Sequence, residues 1–154
     1  MNLQENLKMN GKLTISVFDR EGNLKSAQTV PNLVVTTGKN YIASRMAGVA
    51  GVGTYVMNSM AIGTGTGTPT AADTALGTEA GRVATTSFTA STNTITATAT
   101  FAAGVGTGAI TEAGIFNPSV AGQSGGSMLC RTTFPVVNKA SGDSISITWT
   151  VTVS

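Results

Sequence analysis

Four carboxylates in the middle and the C-terminal part of the chain are the side chains best suited to chemistry: Asp73, Glu79, Glu112 and Asp143. Paired carboxylates carry out glycoside hydrolysis and general acid–base catalysis. The spacing of these four gives no reason for two of them to converge. The sequence has no histidine, which removes the commonest general base and the commonest metal ligand.

Two arginines offer these acids a different role. Arg82 follows Glu79 by three residues, and Arg131 lies in a predicted strand beyond Glu112. We interpret both combinations as ion pairs or hydrogen-bond anchors at strand ends. Exposed pairs of this kind contribute only about 0–1 kcal/mol to stability, so the sequence predicts no catalytic residues.

Glycines at positions 63, 65 and 67 raise the question of phosphate binding. A glycine-rich loop can direct backbone N–H groups at an anion, but it does so at the start of a helix. No Lys-Ser or Lys-Thr pair closes this loop, and Pro69 follows it without a long helix. We therefore expect no nucleotide and no cofactor to bind at this loop.

Metal and thiol chemistry receive little support. Asp19, Glu21 and Asn23 alternate as calcium ligands might, but the loop is too short for an EF-hand and lacks the final bidentate Glu. A hairpin turn is the better interpretation, and no metal site is predicted. Cys130, the single cysteine, lies in an alternating run and is expected to be a small packed side chain rather than a nucleophile.

Charge is scarce throughout the chain. Charged residues make up 10% of the sequence and the net charge is +2, although residues 1–45 hold six of the nine basic residues. This balance predicts no specific nucleic-acid binding. No segment is long and apolar enough to span a membrane, and the N-terminus lacks the apolar core of a signal peptide.

The elements that must position these residues are mostly strands. Alternating apolar and polar residues predict strands at 12–18, 24–30, 55–62, 82–90, 94–101, 110–116 and 127–134. The clearest strand is the last, over residues 144–154, with apolar residues on one face and Ser or Thr on the other. One short helix is expected near residues 38–47, with a hydroxyl residue capping its first turn. The fold class is therefore mainly β, an antiparallel β-sandwich of about eight strands with one short helix.

The domain organisation is simple. A chain of 154 residues is the size of one domain. No boundary or fixed-period repeat interrupts it. We expect an N-terminal arm at residues 1–11 and a single β-sandwich domain at residues 12–154.

Several fragments together resemble virion proteins of tailed double-stranded DNA bacteriophages. They occur in order from about residue 12 to the C-terminus: NLVVTTGKN at 32–40, AIGTG at 61–65, DTAL at 73–76, a Glu at 79 and an Arg at 82, ITEAGIFN at 110–117, MLCRT at 128–132 and FPV at 134–136. Modules of phage tail fibres and collars share this pattern. A small chain without a coiled-coil stalk or fibre repeat is most similar to the capsid decoration, or cement, proteins of this group.

This resemblance implies a structural protein of the virion that performs no catalysis. It would bind the major capsid protein on the outer surface of the capsid, as a homo-oligomer, after synthesis in the host cytoplasm. Its N-terminal residues would form an arm that orders on the shell. The alternative is a tail, collar or fibre component. A further rival, a small carbohydrate-cleaving enzyme, requires a carboxylate that is essential for turnover.

Overall fold

The computed structural model describes residues 7–48, 56–117 and 126–154. Within these ranges the chain forms one helix, α1 (Thr36–Ala47), and nine strands. The strands are β1 (Met9–Phe18), β2 (Leu24–Val34), β3 (Ser59–Gly63), β4 (Glu79–Ala84), β5 (Ser87–Ser91), β6 (Thr94–Phe101), β7 (Gly108–Phe116), β8 (Met128–Lys139) and β9 (Ser144–Val153). The predicted mainly-β, antiparallel class with one short helix is confirmed.

The strands form one sheet in the order β4-β3-β7-β8-β2-β1-β9-β6-β5. Every pairing is antiparallel. Strand β2 joins the two halves, because it pairs with β1 along most of its length and with β8 at Leu33 and Val34. The sheet curls at this point and encloses the larger of two apolar clusters, so the two layers of the predicted sandwich are halves of one sheet.

The core between the halves follows from the alternation in the sequence. Leu13 and Ile15 of β1 and Trp149 of β9 are fully buried and belong to one cluster with Met60 and Ile62 of β3. The indole Nε1 of Trp149 donates a hydrogen bond to Asn32 Oδ1 at 3.0 Å. This apolar cluster, in which the indole N–H of Trp149 has a hydrogen-bond partner, therefore holds both halves together.

Helix α1 packs on β8 through a glycine. A Cβ atom at Gly38 would lie 2.2 Å from the Leu129 carbonyl oxygen, so only glycine allows the helix to approach so closely. The predicted hydroxyl cap is wrong. The N-cap residue is Val35, which makes no side-chain cap, and the Thr37 hydroxyl instead donates to the Met128 carbonyl at 2.9 Å.

Several boundaries differ from the sequence prediction, among them the end of β2, which extends from the predicted residue 30 to Val34. The predicted strand 82–90 is two strands, because the backbone of Thr85 and Thr86 leaves β4 and enters β5 at the opposite edge of the sheet. Strand β3 begins at Ser59, not near residue 55, which lies outside the described residues. Strand β8 extends to Lys139, five residues past the predicted end at 134.

The predicted arm at residues 1–11 is only partly within the described chain. Residues 1–6 lie outside it. Met9 already belongs to β1 and is opposite Val153 of β9. The boundary of the arm was therefore wrong, because the ladder with β9 extends past the point where the alternation of β1 becomes clear.

Candidate functional site

The glycines of the 63–67 loop lie against a carboxylate of the chain itself. Glu112 of β7 is fully buried, and its Oε1 accepts hydrogen bonds from the backbone N–H groups of Gly65 at 2.9 Å and Thr78 at 2.8 Å. Its Oε2 accepts one from Gly77 N–H at 3.0 Å. The loop thus binds an anion through its backbone, as phosphate loops do, but the anion is an internal side chain.

Close approach explains why glycine is needed there. A Cβ at Gly63 would lie 2.6 Å from Glu112 Oε1, and a Cβ at Gly65 would lie 2.4 Å from the same atom. A Cβ at Gly67 would meet nothing within 4 Å. Two of the three glycines therefore allow the loop to approach the Glu112 carboxylate closely, and the third has no such role.

Arg131 of β8 completes this arrangement. Its Nε and Nη2 donate to Glu112 Oε2 at 3.0 and 2.7 Å, and its Nη1 donates to Asp73 Oδ2 at 2.6 Å. Nη2 also donates to the Gly67 carbonyl at 3.1 Å. We call Glu112, Arg131, Asp73 and the loop residues that they contact the carboxylate clasp. It fastens the segment 64–78 to the outer face of β7 and β8.

The clasp keeps both carboxylates ionised. Burial raises the pKa of Glu112, but hydrogen bonds from Thr78 and Gly77 N–H, and from Arg131, outweigh it and hold that pKa below its usual value. Burial likewise opposes ionisation of Asp73, and hydrogen bonds from Thr70 and Arg131 lower its pKa. Thr70 also occupies the second oxygen of Asp73, through its hydroxyl at 2.7 Å. All four carboxylate oxygens of the clasp already accept hydrogen bonds.

The clasp both confirms and corrects the sequence prediction. The pairing of Glu112 with Arg131 is confirmed. Its expected position among exposed strand ends is wrong, because the Arg131 side chain is 5% exposed and that of Glu112 is 0% exposed. Asp73 was not expected to join them. No sequence pattern predicts the contact between Asp73 and Arg131, because residue 73 approaches Arg131 only when the 64–78 segment crosses the sheet.

The other predicted anchors lie apart from the clasp. Glu79 and Arg82 pair at 2.7 Å, as expected, and the Arg82 guanidinium stacks over the Phe116 ring at 3.9 Å. Asp143 pairs with Lys25 at 2.5 Å. These contacts place the two carboxylates in separate structural pairs.

Asp19 lies in the predicted turn. Its two oxygens accept hydrogen bonds from the backbone N–H and the side-chain amide of Asn23, at 2.8 and 3.0 Å. The strands on either side of this turn, β1 and β2, pair directly, so the hairpin interpretation is confirmed. Among the described residues, no group of three or more His, Cys, Asp or Glu side chains could hold a metal ion.

Two reactive groups are enclosed by the fold. Cys130 is fully buried in the core, and desolvation raises the pKa of its thiol far above the ordinary value. Lys139 is 2% exposed, and its Nζ donates to the carbonyls of Ala102 at 2.9 Å and Asp143 at 2.7 Å. Desolvation lowers the pKa of this lysine, with Asp143 opposing the shift. Both groups are almost completely shielded from solvent.

The outer surface of the other half of the sheet has an unusual composition. Residues directly opposite each other on neighbouring strands point to the same side. One row across five strands is Thr29, Thr14, Thr148, Thr98 and Ser87. Parallel rows add Ser16, Ser146 and Thr100, then Thr150, Thr96 and Thr89, then Thr152, Thr94 and Ser91. We call this set the hydroxyl face.

The hydroxyl face is suited to contact with another protein. Lys12 is the one charged side chain within its rows. Some hydroxyls bond to each other, as in Thr14 with Thr29 at 2.9 Å and Thr94 with Thr152 at 3.1 Å. Each hydroxyl can donate or accept as a partner requires, and covering it desolvates no charge. The face therefore offers many adaptable contacts at a small desolvation cost.

Within the described ranges, no helix has the length and apolar character needed to cross a membrane. In comparisons with protein-family models, curated proteins and solved structures, nothing matches this chain.

Proposed function

We propose that this chain is a non-enzymatic structural protein of a bacteriophage particle, a capsid decoration or cement protein. It binds the major capsid protein on the outside of the head and stabilises the DNA-filled shell. The hydroxyl face carries this proposal: an extended, nearly uncharged surface of Thr and Ser on one half of the sheet. The resemblance of the sequence fragments to phage virion proteins supports it.

The arrangement of the ionisable groups fits this role better than catalysis. Glu112 and Asp73 are held by Arg131, Glu79 by Arg82, and Asp143 by Lys25. A general acid or base must exchange a proton with a substrate, and these carboxylates are instead engaged with the chain's own cations. They stabilise loops around the sheet.

The mechanism that we propose is mechanical. A copy bound across a seam between capsid subunits covers surface on more than one of them, so separating the subunits also requires breaking its contacts. Each contact can be weak, because many copies on a fixed lattice act together. Pressure from packaged DNA is then opposed over the whole shell.

The test uses phage capsids that lack this protein. Addition of the purified chain is expected to saturate the capsid surface and to raise the temperature at which the shell opens. The variant Thr148→Glu, which places a charge at the centre of the hydroxyl face, is expected to remain folded and to lose this binding. Thr68→Glu, on an exposed loop outside the face, is the matched control and should bind normally.

Two outcomes would contradict the proposal. If a saturating amount of the protein leaves the temperature at which the shell opens unchanged, the proposed role on the capsid is excluded. Imaging of intact particles that places the chain on the tail, collar or fibre would favour the alternative assignment.

A further inference from the structure

Strand β5 forms one edge of the sheet, and within the described residues it pairs with β6 alone. The C=O of Thr98 on β6 accepts a hydrogen bond from Thr86 N–H at 2.8 Å, so the backbone groups of Thr98 point towards β5. Thr98 lies opposite Ser87, and the direction of hydrogen bonding alternates along an antiparallel ladder. The N–H and C=O groups of Phe88 and Ala90 therefore point outward, away from β6.

Within the described chain, the β5 edge lacks the features that usually keep edge strands from pairing with other chains. Those features include very short length, charged side chains, proline and β-bulges. Strand β5 has an ordinary length of five residues, its ladder with β6 is regular, and no charged residue occurs between Arg82 and Glu112. The opposite edge, β4, carries Glu79 and Arg82, and its ladder with β3 shifts in register. Of the two edges, β5 is therefore the one suited to strand pairing.

We propose that the β5 edges of two copies of the chain pair antiparallel about a two-fold axis that passes between their Thr89 residues. In this register Phe88 of each copy lies opposite Ala90 of the other, and each such pair exchanges two backbone hydrogen bonds. Every outward-pointing group of the two residues then has a partner. Any other register leaves Phe88 or Ala90 opposite a residue outside β5, or opposite one whose backbone groups point to β6.

The side chains of β5 favour a second copy over an unrelated strand. About an axis at Thr89, Ser87 of one copy lies opposite Ser91 of the other, and the two Thr89 hydroxyls meet. On the opposite side of the strand, the small Ala90 side chain faces the large Phe88 side chain. Ala90 is exposed and Phe88 is partly buried in the single chain, so pairing covers apolar surface as well as backbone groups. The strand is therefore complementary to itself.

Pairing in this register also extends the hydroxyl face. Ser87, Thr89 and Ser91 are the members of that face at the β5 edge. In an antiparallel pair, side chains directly opposite each other lie on the same side of the sheet. The hydroxyl faces of the two copies therefore join into one surface. The dimer goes beyond the proposed function and does not depend on it, because it rests on the geometry of the edge alone.

Sedimentation velocity of the purified full-length chain measures the association. Two five-residue strands form an interface well below the roughly 1,200 Å² of stable complexes, so we expect a weak dimer that appears as the concentration rises towards about 1 mM. Ala90→Pro removes an outward N–H group without breaking a bond to β6, and proline is tolerated at such edge positions. This variant should keep the wild-type urea midpoint and lose the dimer.

Charges at position 89 test the symmetry of the pairing. Thr89 is exposed, so Thr89→Lys and Thr89→Glu should both remain folded. In each variant like charges lie opposite each other across the axis, which should weaken the dimer by roughly fivefold. An equimolar mixture of the two variants brings an ammonium opposite a carboxylate and should recover the association. Recovery between two substitutions at the same position is expected only when that position faces itself.

Disulfide formation tests the position of the axis. Residues directly opposite each other in an antiparallel pair have Cα atoms about 4.5–5.5 Å apart, which is within reach of a disulfide. The native Cys130 is fully buried, so an introduced thiol is the accessible one. Thr89→Cys should form a disulfide-linked dimer at least about tenfold faster than Thr100→Cys. This control places an exposed thiol on the same face, on β6 and away from the axis.

Three results would overturn this inference. They are a chain that stays monomeric at every concentration up to about 1 mM, a dimer that is unchanged in folded Ala90→Pro, and equal rates of disulfide formation for Thr89→Cys and Thr100→Cys. None of these measurements uses capsids, so this inference and the proposed function can fail separately.

Discussion

The guanidinium of Arg131 donates two hydrogen bonds to a single oxygen of Glu112, from Nε at 3.0 Å and from Nη2 at 2.7 Å. The other Glu112 oxygen faces the backbone N–H groups of Gly65 and Thr78. One buried carboxylate therefore holds a neighbouring strand through Oε2 and the surface loop through both oxygens, because Gly77 N–H also donates to Oε2, at 3.0 Å. The stability of the loop should therefore depend on this residue.

Replacing Glu112 by glutamine should be strongly destabilising. The variant leaves Arg131 without its buried partner and turns an amide group towards backbone donors, so we expect a loss of about 3 kcal/mol in the free energy of unfolding. Glu79→Gln is the control and should cost only about 1 kcal/mol, because the Glu79 side chain is 33% exposed and its 5% exposed partner Arg82 keeps its contact with the Phe116 ring. Urea denaturation of both variants measures the difference. Equal losses would show that the clasp contributes no more than the partly exposed pair of Glu79 with Arg82.

The chain should lose stability in acid. The pKa values of Glu112 and Asp73 lie below their ordinary values of 4.5 and 3.8, so the folded state binds fewer protons than the unfolded state in this range. Their contribution is complete above pH 4.5 and is lost as the pH falls through the folded pKa values. Urea midpoints measured from pH 7 to pH 3 should show this fall. Glu112→Gln should flatten the curve, and an unchanged slope would contradict the assignment.

Two glycines of the same loop should respond differently to alanine. Gly65→Ala places a methyl group against the Glu112 carboxylate and should cost about 1–3 kcal/mol in the free energy of unfolding. Gly67→Ala meets nothing within 4 Å and should be close to neutral. Thermal unfolding of the two variants provides the comparison. A tolerated alanine at position 65 would mean that the loop does not hold the carboxylate closely.

The thiol of Cys130 should be protected in the native state. It is fully buried and its pKa is raised, so both access and thiolate formation are suppressed. A thiol reagent such as dithionitrobenzoate should react slowly with the native chain and rapidly in denaturant. Reaction of the native chain at the rate of a free thiol would exclude the packed position.

The strands could be predicted where alternation is uninterrupted. Strand β6 has the predicted limits, 94–101, and β9 lies within the predicted 144–154, because each has an apolar inner face and a hydroxyl outer face. The break at Thr85 and Thr86 was not predictable. Threonine favours the extended conformation, and no glycine or proline marks the change of strand.

The clasp was predictable only in part. Opposite charges on neighbouring predicted strands indicated the pairing of Glu112 with Arg131. The burial of this pair and its contacts with Gly65, Gly77 and Asp73 depend on the course of the 64–78 segment over the sheet. That course is set by tertiary contacts, among them Leu76 packing with Phe116, and no local pattern encodes it.

Thr85 and Thr86 connect strands at opposite edges of the sheet, β4 and β5. A backbone link of that length spans at most roughly 11 Å. The end of β4 and the start of β5 therefore cannot separate by more than this distance. A force that pulls these two strand ends apart acts on covalent main-chain bonds, which do not break as the hydrogen bonds between paired strands can.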